Sequence, residues 1–276
     1  MIDPLPVIIP EAGRAAELAR VVLSSLPLSY ASNGEHGSGA VIIIDGQTTA
    51  WPDVAAKAIK ESAAGVVVIE PRPAELGSLL GLLDQYPVPV VVDSRWTNPL
   101  LPAAAEAFAT AMTSDGRLEC RVIIPPGQDQ QNALVDQLSL VRRLIGAASG
   151  VRMIFTSDRG YFAQAAAGGL RVDLSLVCTR AQPNSATVRL ITLDGSVELF
   201  LPSGDTARSA QLITVGQNGV TEAPALYESG HRSSWRRLRE LINSGQTTAD
   251  LQDLAADITT THQRRPSDDH KKEQTT

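Results

Sequence analysis

Several features that mark particular protein classes are missing from this sequence of 276 residues. No apolar run approaches the ~20 residues that a membrane-spanning helix requires. Residues 1–4 lack the basic patch and the apolar stretch of a signal peptide. The net charge is -6, whereas a nucleic-acid partner would require a basic face. We therefore expect a cytoplasmic protein that contacts neither membranes nor nucleic acids.

Cysteine and histidine are scarce. The two cysteines, Cys120 and Cys178, lie inside apolar runs without CxxC spacing, which predicts that both are reduced and buried. The four histidines are scattered without the spacing of metal ligands, so we predict no metal site. Hydrophobic residues nevertheless make up 43% of the chain, enough for a sizeable core, and the length favours two domains.

Short β-rich runs alternate with helical stretches over residues 1–115. Continuous Val and Ile runs between helices are typical of a parallel sheet that is covered on both faces. We therefore predict a Rossmann-like α/β domain here, the type that binds nucleotides. The predicted strands are residues 6–9, 40–44, 65–69 and 88–92, and the predicted helices are residues 13–23, 53–62, 75–84 and 102–112.

The pattern changes after residue 115, where strands follow one another with few helices between them. Polar and apolar residues alternate over residues 171–178, which predicts a sheet with one exposed face. We predict an α+β domain of the dehydrogenase type over residues 116–262, built on an open, mostly antiparallel sheet. Residues 263–276 are polar and unpatterned, which predicts a disordered tail. The predicted strands are residues 121–124, 151–156, 170–179, 187–192, 196–201 and 210–215, and the predicted helices are residues 130–145 and 233–242.

The loop after the first strand departs from the G-x-G-x-x-G pattern of dinucleotide-binding sites. If Pro10 takes the place of the first glycine, Ala12 and Ala15 take the places of the second and third. Pro10 removes an amide donor, and the Cβ of Ala12 lies where a pyrophosphate oxygen would approach. Glu11 adds a negative charge. The loop therefore predicts that no cofactor is bound. If the protein is an active enzyme instead, the expected cofactor is NAD or NADP.

Two stretches of the chain carry a family resemblance. In residues 64–73 an apolar strand ends in Glu-Pro-Arg-Pro, and after a helix a second strand ends in Asp-Ser-Arg at residues 93–95. Residues 132–146 form an amphipathic helix that ends in Arg-Arg-Leu-Ile-Gly. Together with the order of the later strands, these stretches resemble the glucose–fructose oxidoreductase and inositol dehydrogenase family of NAD(P)-dependent sugar dehydrogenases, over most of residues 1–262.

The resemblance implies a lysine and a histidine that assist proton transfer from the substrate hydroxyl while hydride leaves the carbon. The lysine position falls on Ser94, between Asp93 and Arg95, and the family's Asp-x-x-x-His pair falls on Asn132 and Asp136. Serine cannot replace an ammonium group, but a carboxylate in a closed site can act as a base. Asp136, Asp93 and Arg95 are therefore the candidate catalytic residues.

Each candidate also has a structural interpretation. Asp136 and Asn132 lie one helical turn apart and can form a polar helix face. Arg95 can clamp an anionic group or stack on Trp96 in a surface loop. Glu70 follows an apolar strand and is either a functional carboxylate or a loop residue. The cofactor-binding positions of the degenerate motif, with Glu70 included, are Pro10, Ala12, Gly13, Ala15 and Glu70.

The C-terminal helix carries a histidine and a run of arginines. We interpret His231 as a surface histidine and the arginines as the solvated face of an amphipathic helix whose other face carries Trp235 and Leu238. Binding of an anion is the alternative for this run. The arginines are Arg232, Arg236, Arg237 and Arg239.

Three functions compete on these grounds. The joint loss of the glycine loop, the lysine and the histidine favours a non-catalytic homologue, acting as a structural or regulatory subunit or binding a small ligand. The first alternative is an active NAD(P)-dependent sugar or polyol dehydrogenase with an altered loop. The second is a lyase or hydrolase that reuses the cleft between the domains. We expect a homo- or hetero-oligomer formed through the C-terminal sheet, as the resemblance also implies, and an active dehydrogenase is one candidate partner.

Overall fold

The computed structural model describes residues 3–32, 39–204 and 208–263, so the predicted tail lies almost entirely outside the described residues. The chain forms two compact units. The first comprises Met1–Pro99 and Glu228–Ala256, and the second comprises Leu100–Tyr227 and Asp257–Thr276. This division differs from the predicted boundary at residue 115, because the last helix of the predicted first domain packs in the second unit and a C-terminal helix returns to the first.

The first unit contains a five-stranded parallel sheet with the order β2-β1-β3-β4-β5. This arrangement confirms the predicted Rossmann-like α/β architecture. Helices α1 and α6 pack with the sheet around one cluster of buried residues, and α2 packs on β3 and β4. The strands are β1 (Leu5–Ile8), β2 (Tyr30–Ala31), β3 (Val41–Asp45), β4 (Gly65–Ile69) and β5 (Val90–Asp93), and the helices are α1 (Arg14–Ser25), α2 (Trp51–Lys60), α3 (Gly77–Leu83) and α6 (Gly230–Ser244).

Helix α6 belongs to the first unit although it lies far along the chain. Trp235 and Leu238 are fully buried in the cluster that α1 and the sheet share. The backbone carbonyl of Trp235 accepts a hydrogen bond of 2.6 Å from the Tyr30 hydroxyl. Because burying a large apolar side chain contributes about 1.5–3 kcal/mol, these residues hold α6 on the parallel sheet.

The second unit contains an eight-stranded sheet with the order β13-β12-β11-β10-β6-β9-β8-β7. Only the β6–β9 pair is parallel among the described pairings, so the predicted open, mostly antiparallel sheet is confirmed. The strands are β6 (Arg117–Ile124), β7 (Ser149–Ser157), β8 (Gly160–Ala167), β9 (Leu170–Cys178), β10 (Ser185–Ile191), β11 (Ser196–Pro202), β12 (Gln211–Gly216) and β13 (Gly219–Glu222), and the helices are α4 (Leu101–Ala111) and α5 (Gln130–Ile145), with α7 (Asp250–His262) spanning the division between the units.

One face of this sheet is apolar and buried, and the other is not. Val188, Leu190, Val197 and Leu199 are fully buried on the face toward α4 and α5. Apart from the buried Ser185, the alternate residues of the same strands are half-buried or exposed and include Thr187, Arg189, Glu198 and Phe200. The predicted exposed face is therefore the one that carries these alternate residues.

Four elements have no counterpart among the predicted ones: β2, β8, β13 and α7. Strand β8 has the sequence Gly-Tyr-Phe-Ala-Gln-Ala-Ala-Ala, and alanine favours helix over strand when only local propensity is considered. Pairing with β7 and β9 on both sides overrides that preference.

No helix in the described ranges is both long enough and apolar enough to span a bilayer.

Candidate functional site

The loop between β1 and α1 contains a backbone conformation that only glycine adopts readily. Gly13 is the N-cap residue of α1 and has φ 95° and ψ 175°. A side chain at this φ and ψ is strained by about 1–3 kcal/mol. The N-cap residue makes no side-chain hydrogen bond to the helix start, and the first turn of α1 presents its backbone N–H groups at this loop. Gly13 is among the predicted cofactor-binding positions, but the G-x-G-x-x-G pattern set on Pro10 does not require a glycine there, whereas the folded loop does.

The other residues of the predicted cofactor motif have different surroundings. Ala12 is exposed and Pro10 is half-buried, whereas Ala15 is buried in the core of the first unit. The Asp45 side chain at the end of β3 faces this loop, because its Oδ2 lies 3.5 Å from the position that a Cβ on Gly13 would occupy. The Asp45 carboxylate therefore lies beside this loop, at the carboxyl ends of β1 and β3.

The order of the strands identifies the ligand-binding edge of the sheet. Strand β1 has β2 on one side and β3 on the other, so the chain reverses its direction of travel across the sheet between β1 and β3. In open α/β sheets, ligands bind outside the carboxyl ends of the strands at such a switch point. Gly13 and Asp45 lie there, and the ends of β4 and β5 continue the same edge.

Glu70 follows β4 at this edge and has an unusual backbone. Its φ of 45° is positive, which costs free energy for any residue with a side chain. The Glu70 N–H donates a hydrogen bond of 2.8 Å to the carbonyl of Asp93 on the neighbouring strand. The carboxylate is largely buried and lies between two guanidinium groups, at 3.5 Å from Arg14 and 3.7 Å from Arg95. Glu70 therefore joins the start of α1 to the loop after β5.

Asp93, at the end of β5, is the most deeply buried acid of this edge. Its side chain is 0% exposed, and both carboxylate oxygens are engaged. Oδ2 lies 2.6 Å from Nδ1 of His231, and Oδ1 accepts a hydrogen bond of 2.8 Å from the Ser234 hydroxyl. Both partners lie in the first turns of α6. The predicted catalytic residue Asp93 is thus the anchor of a buried carboxylate–imidazole pair.

A close backbone approach makes this pair possible. A Cβ on Gly230 would lie 1.8 Å from the carbonyl oxygen of Thr97 in the loop after β5. Only glycine therefore allows the start of α6 to come this near, and His231 is the next residue. We predicted His231 to be a surface histidine, but its ring is largely buried, and the 138 positions between it and Asp93 concealed the pairing. The adjacent glycine at a helix start was the only local signal.

Several charges set the protonation of His231. Burial of the ring is the largest influence and lowers its pKa, but the charge and hydrogen bond of Asp93 and the charge of Glu70 raise it, while Arg14 lowers it. The net result is a pKa above the usual value of 6.5. The side chain keeps 14% of its surface exposed, and among the described residues Nε2 has no hydrogen-bond partner.

The remaining residues that were singled out either lie outside this edge of the parallel sheet or are buried within the fold. Ser94 is buried and forms a hydrogen bond of 3.1 Å with the Thr97 hydroxyl. Asp136 is half-buried in α5 of the second unit, whereas Asp93 and Arg95 belong to the first. Trp96 is buried. The described residues contain no group of three or more His, Cys, Asp or Glu side chains that could hold a metal ion.

Comparisons with known proteins give structural matches alone: no protein-family model and no curated protein sequence matches the chain. The 3-ketoreductase KijD10 from Actinomadura kijaniata, in complex with TDP-benzene and NADP, has a TM-score of 0.75 and 14% identity over 95% of this chain and 98% of that one. A protein described as an NADPH-dependent oxidoreductase from Desulfitobacterium hafniense has a TM-score of 0.73 and 14% identity, covering 95% and 96%. A protein described as an oxidoreductase from Thermotoga maritima has a TM-score of 0.64 and 11% identity, covering 93% and 89%.

The chain therefore shares the fold of NADP-dependent oxidoreductases along nearly its full length. At such low identities the likeness concerns the fold. It agrees with the expected oxidoreductase-like architecture. The prediction that no cofactor is bound is wrong in the light of these structures, because the similar KijD10 chains hold NADP and point to NAD(P) rather than to no cofactor.

Proposed function

We propose that this protein is an NAD(P)-dependent oxidoreductase that acts on a sugar or polyol, as a divergent member of the glucose–fructose oxidoreductase and inositol dehydrogenase family. The observation that carries the proposal is Gly13, a residue in a glycine-only conformation at the start of α1, at the switch point of the parallel sheet. The shared fold with NADP-bound oxidoreductases supports it. The function predicted first, a non-catalytic homologue, has less support.

The residues at this edge fit a dinucleotide. The backbone N–H groups of the first turn of α1 and the positive end of its dipole suit a diphosphate, and Gly13 lets that group approach closely. The Arg14 guanidinium, more than half exposed, adds a positive charge at the same place. The Asp45 carboxylate suits the hydroxyl groups of a ribose. Bound here, the nicotinamide group would accept a hydride from an alcohol carbon or supply one to a carbonyl carbon.

The side chains beyond the loop would orient the reacting end. A dinucleotide crosses the switch point, and its adenosine half takes the side of the second strand, here β2. The nicotinamide half therefore takes the side of β3, β4 and β5, where Glu70 and the pair of Asp93 and His231 lie. Arg95, held by Glu70 and partly exposed, would contact an anionic or polyhydroxylated substrate.

One observation favours the non-catalytic alternative. Ser94, at the position that the resemblance assigns to a lysine, is buried and bonded to Thr97, so it cannot supply a charged proton donor. A chain that bound a nucleotide without turning over any sugar or polyol would support that alternative. Turnover therefore separates the two functions, and nucleotide binding is common to both.

The proposed function is tested by calorimetric titration with NADPH and NADH. We expect wild-type protein to bind at least one of them and Gly13→Ala to bind about tenfold more weakly or worse, because the added methyl group drives the loop out of its conformation. Gly81→Ala is the matched control, since nothing lies within 4 Å of that Cβ and the residue is in α3. Absence of binding by wild-type protein at about 1 mM nucleotide would exclude the proposed function.

We further propose that the half-buried sheet face of the second unit is covered by another copy of the chain or by a related subunit. The face carries Phe200 and Ile213 beside an ion pair between Arg189 and Glu198 at 3.7 Å. Specific interfaces bury about 1,000 Å² or more in total. Light scattering should give a mass above one chain for wild-type protein and one chain for Ile213→Glu, whereas Leu193→Glu in the exposed hairpin turn should not change it.

A further inference from the structure

A buried carboxylate that holds one ring nitrogen of a histidine prepares the other nitrogen for proton transfer. Asp93 accepts the Nδ1 proton of His231 at 2.6 Å, which fixes the tautomer and the orientation of the ring. The Ser234 hydroxyl in turn fixes Asp93 at 2.8 Å. Nε2 is then the ring nitrogen that can exchange a proton with a ligand. The first unit contains no other imidazole among its described residues.

The location of this pair suits a proton-transfer group. His231 lies at the carboxyl end of β5, on the side of the switch point that receives the nicotinamide half of a dinucleotide. It lies within electrostatic range of Arg14, at the start of α1, and of Glu70, after β4. The ring is thus part of the same polar edge as the loop that would hold the diphosphate.

We propose that His231 is the group that exchanges a proton with the substrate oxygen, through Nε2, and that Asp93 is its positioning residue. The inference rests on the proposed oxidoreductase function. In the reducing direction, a bound nicotinamide nucleotide would supply a hydride, with its electron pair, to the carbonyl carbon. The carbonyl oxygen receives the displaced π pair and takes the Nε2 proton, forming the alcohol. The neutral imidazole then regains a proton from water, and the oxidising direction reverses each transfer.

Asp93 does not carry this role itself. Its carboxylate is fully buried and both oxygens are bonded, so no substrate oxygen can reach it. Its charge instead stabilises the imidazolium form, as the acid of an Asp–His pair does in other enzymes. The Gly230–Thr97 approach supports the same role, because it brings the backbone of α6 close enough for the hydrogen bond to form.

The charged groups that act on the ring come from several elements, and Arg95 reaches this cluster through Glu70. Asp93 lies on β5, Glu70 follows β4, Arg14 begins α1 and Arg95 follows β5. On α6 itself, Arg232 is paired with Glu228 at 3.5 Å. Asp93 contacts the ring directly, whereas Glu70 acts on it by its charge and is itself shared between two arginines. Their balance keeps the imidazole protonated to a higher pH than a free histidine, which suits a proton donor to a carbonyl.

The first test needs no substrate. Protein with ¹⁵N-labelled histidine is titrated by NMR alone, with saturating NADPH and with saturating NADP⁺. We expect the His231 ring to titrate above the usual range, with Nδ1 protonated in the neutral form, and its pKa to fall in Asp93→Asn. The pKa should also be lower with NADP⁺ than with NADPH, because the oxidised nicotinamide ring is positively charged. An equal pKa in both complexes would exclude His231 from the reacting end.

The second test measures turnover and binding together. Wild-type protein, His231→Gln and the control His262→Gln are titrated with NADPH and assayed with myo-inositol, D-glucose and D-sorbitol as probes. We expect His231→Gln to bind NADPH as wild type does but to lose about 10²–10⁴-fold in kcat, with the pH dependence assigned to the imidazole abolished. Full turnover by His231→Gln would overturn the inference and leave the proposed function intact. Failure of wild-type protein to bind nucleotide would overturn the proposed function. If none of the probes is turned over, the comparison of the His231 pKa by NMR with NADPH and with NADP⁺ decides whether the inference holds.

Discussion

Both units bury polar side chains, but they use them differently. In the second unit, Gln137 donates two hydrogen bonds of 3.0 Å to the carbonyls of Cys120 and Ser175 and accepts one from the Tyr161 hydroxyl. In the first unit, the buried Asp93 holds a histidine whose second nitrogen is left for a ligand. Saturated buried groups stabilise a fold, whereas a partly saturated and strained cluster is typical of a functional site.

A second buried group of the second unit is an ion pair. Arg142 donates from Nε and Nη2 to the carboxylate of Asp257, with a shortest distance of 2.7 Å, and the acid is almost fully buried. Because the Arg142 guanidinium binds the Asp257 carboxylate in a bidentate geometry, the carboxylate offers no open position to a ligand. The comparison predicts that substitutions of these buried groups in the second unit change stability alone, whereas those at the polar edge of the first unit also change binding and chemistry.

The largest expected effect on stability comes from breaking this ion pair. Arg142→Met keeps the packing of the side-chain stem but leaves the Asp257 carboxylate buried without its charge partner, which should lower the free energy of unfolding by about 3–5 kcal/mol. Calorimetric or denaturant unfolding measures this change. Lys57→Met is the control, because the pair of Lys57 with Glu61 is exposed. A loss below about 1 kcal/mol for Arg142→Met would remove the contrast between the units.

The next effect concerns Gln137. Tyr161→Phe removes the hydroxyl that donates to its buried side-chain oxygen, so that oxygen remains without this donor. We expect the free energy of unfolding to fall by about 1–3 kcal/mol, with NADPH affinity unchanged in the titration described above. Weaker nucleotide binding at unchanged stability would instead give Gln137 and Tyr161 a functional role.

The charged edge of the first unit should appear in the pH dependence of stability. The pKa of His231 is higher in the folded protein than in the unfolded chain, so protonation of the ring stabilises the fold. This stabilisation is complete at pH values below the unfolded-state pKa of about 6.5, and it is lost as the pH rises through the folded-state pKa. The difference in unfolding free energy between wild type and His231→Gln should therefore be largest in acid and decline above neutrality. A difference that grows with pH would show that burial outweighs Asp93.

The smallest effect concerns the two thiols of the second unit. Burial raises the pKa of Cys120 to about 12, with Gln137 opposing the shift, whereas Cys178 is half-buried rather than buried as predicted from its apolar run. One thiol per chain should therefore react with a disulfide reagent in the native state. Cys178→Ser should abolish this reaction, and labelling of Cys120 in the folded protein would mean that the interior of the second unit opens readily.

The sequence predicted the elements whose signal is local. The strand at residues 65–69 and the helix at residues 130–145 have the predicted bounds, because a continuous apolar run and a helical apolar period are complete within those segments. The segment of β8 shows the limit. Its alanines carry no strand signal, and only pairing with β7 and β9 makes them a strand.

The residues of the candidate site also fall into those with a local sequence signal and those that only the folded chain reveals. Asp93 and Arg95 were singled out because the family resemblance places them on either side of the lysine position, and Glu70 because it follows an apolar strand; parallel strands bring such positions to one edge. Gly13 was named as a motif position, but its need for a positive φ appears only in the folded loop. His231 escaped because nothing near it in the sequence indicates a carboxylate partner.

Periodicity and position next to a strand were enough to predict the class of each sheet, most of their strands, helices α1 to α6 and the acids at the ends of the parallel strands, whereas β2, β8, β13 and α7 escaped. Which residues meet became visible only in the folded chain. Trp235 and Leu238 bury α6 against the parallel sheet, and the missing side chain of Gly230 lets that helix approach the loop after β5. This packing brings the imidazole of His231 to Asp93, because the free energy gained by burying the apolar face of α6 holds the pair together across 138 positions of sequence.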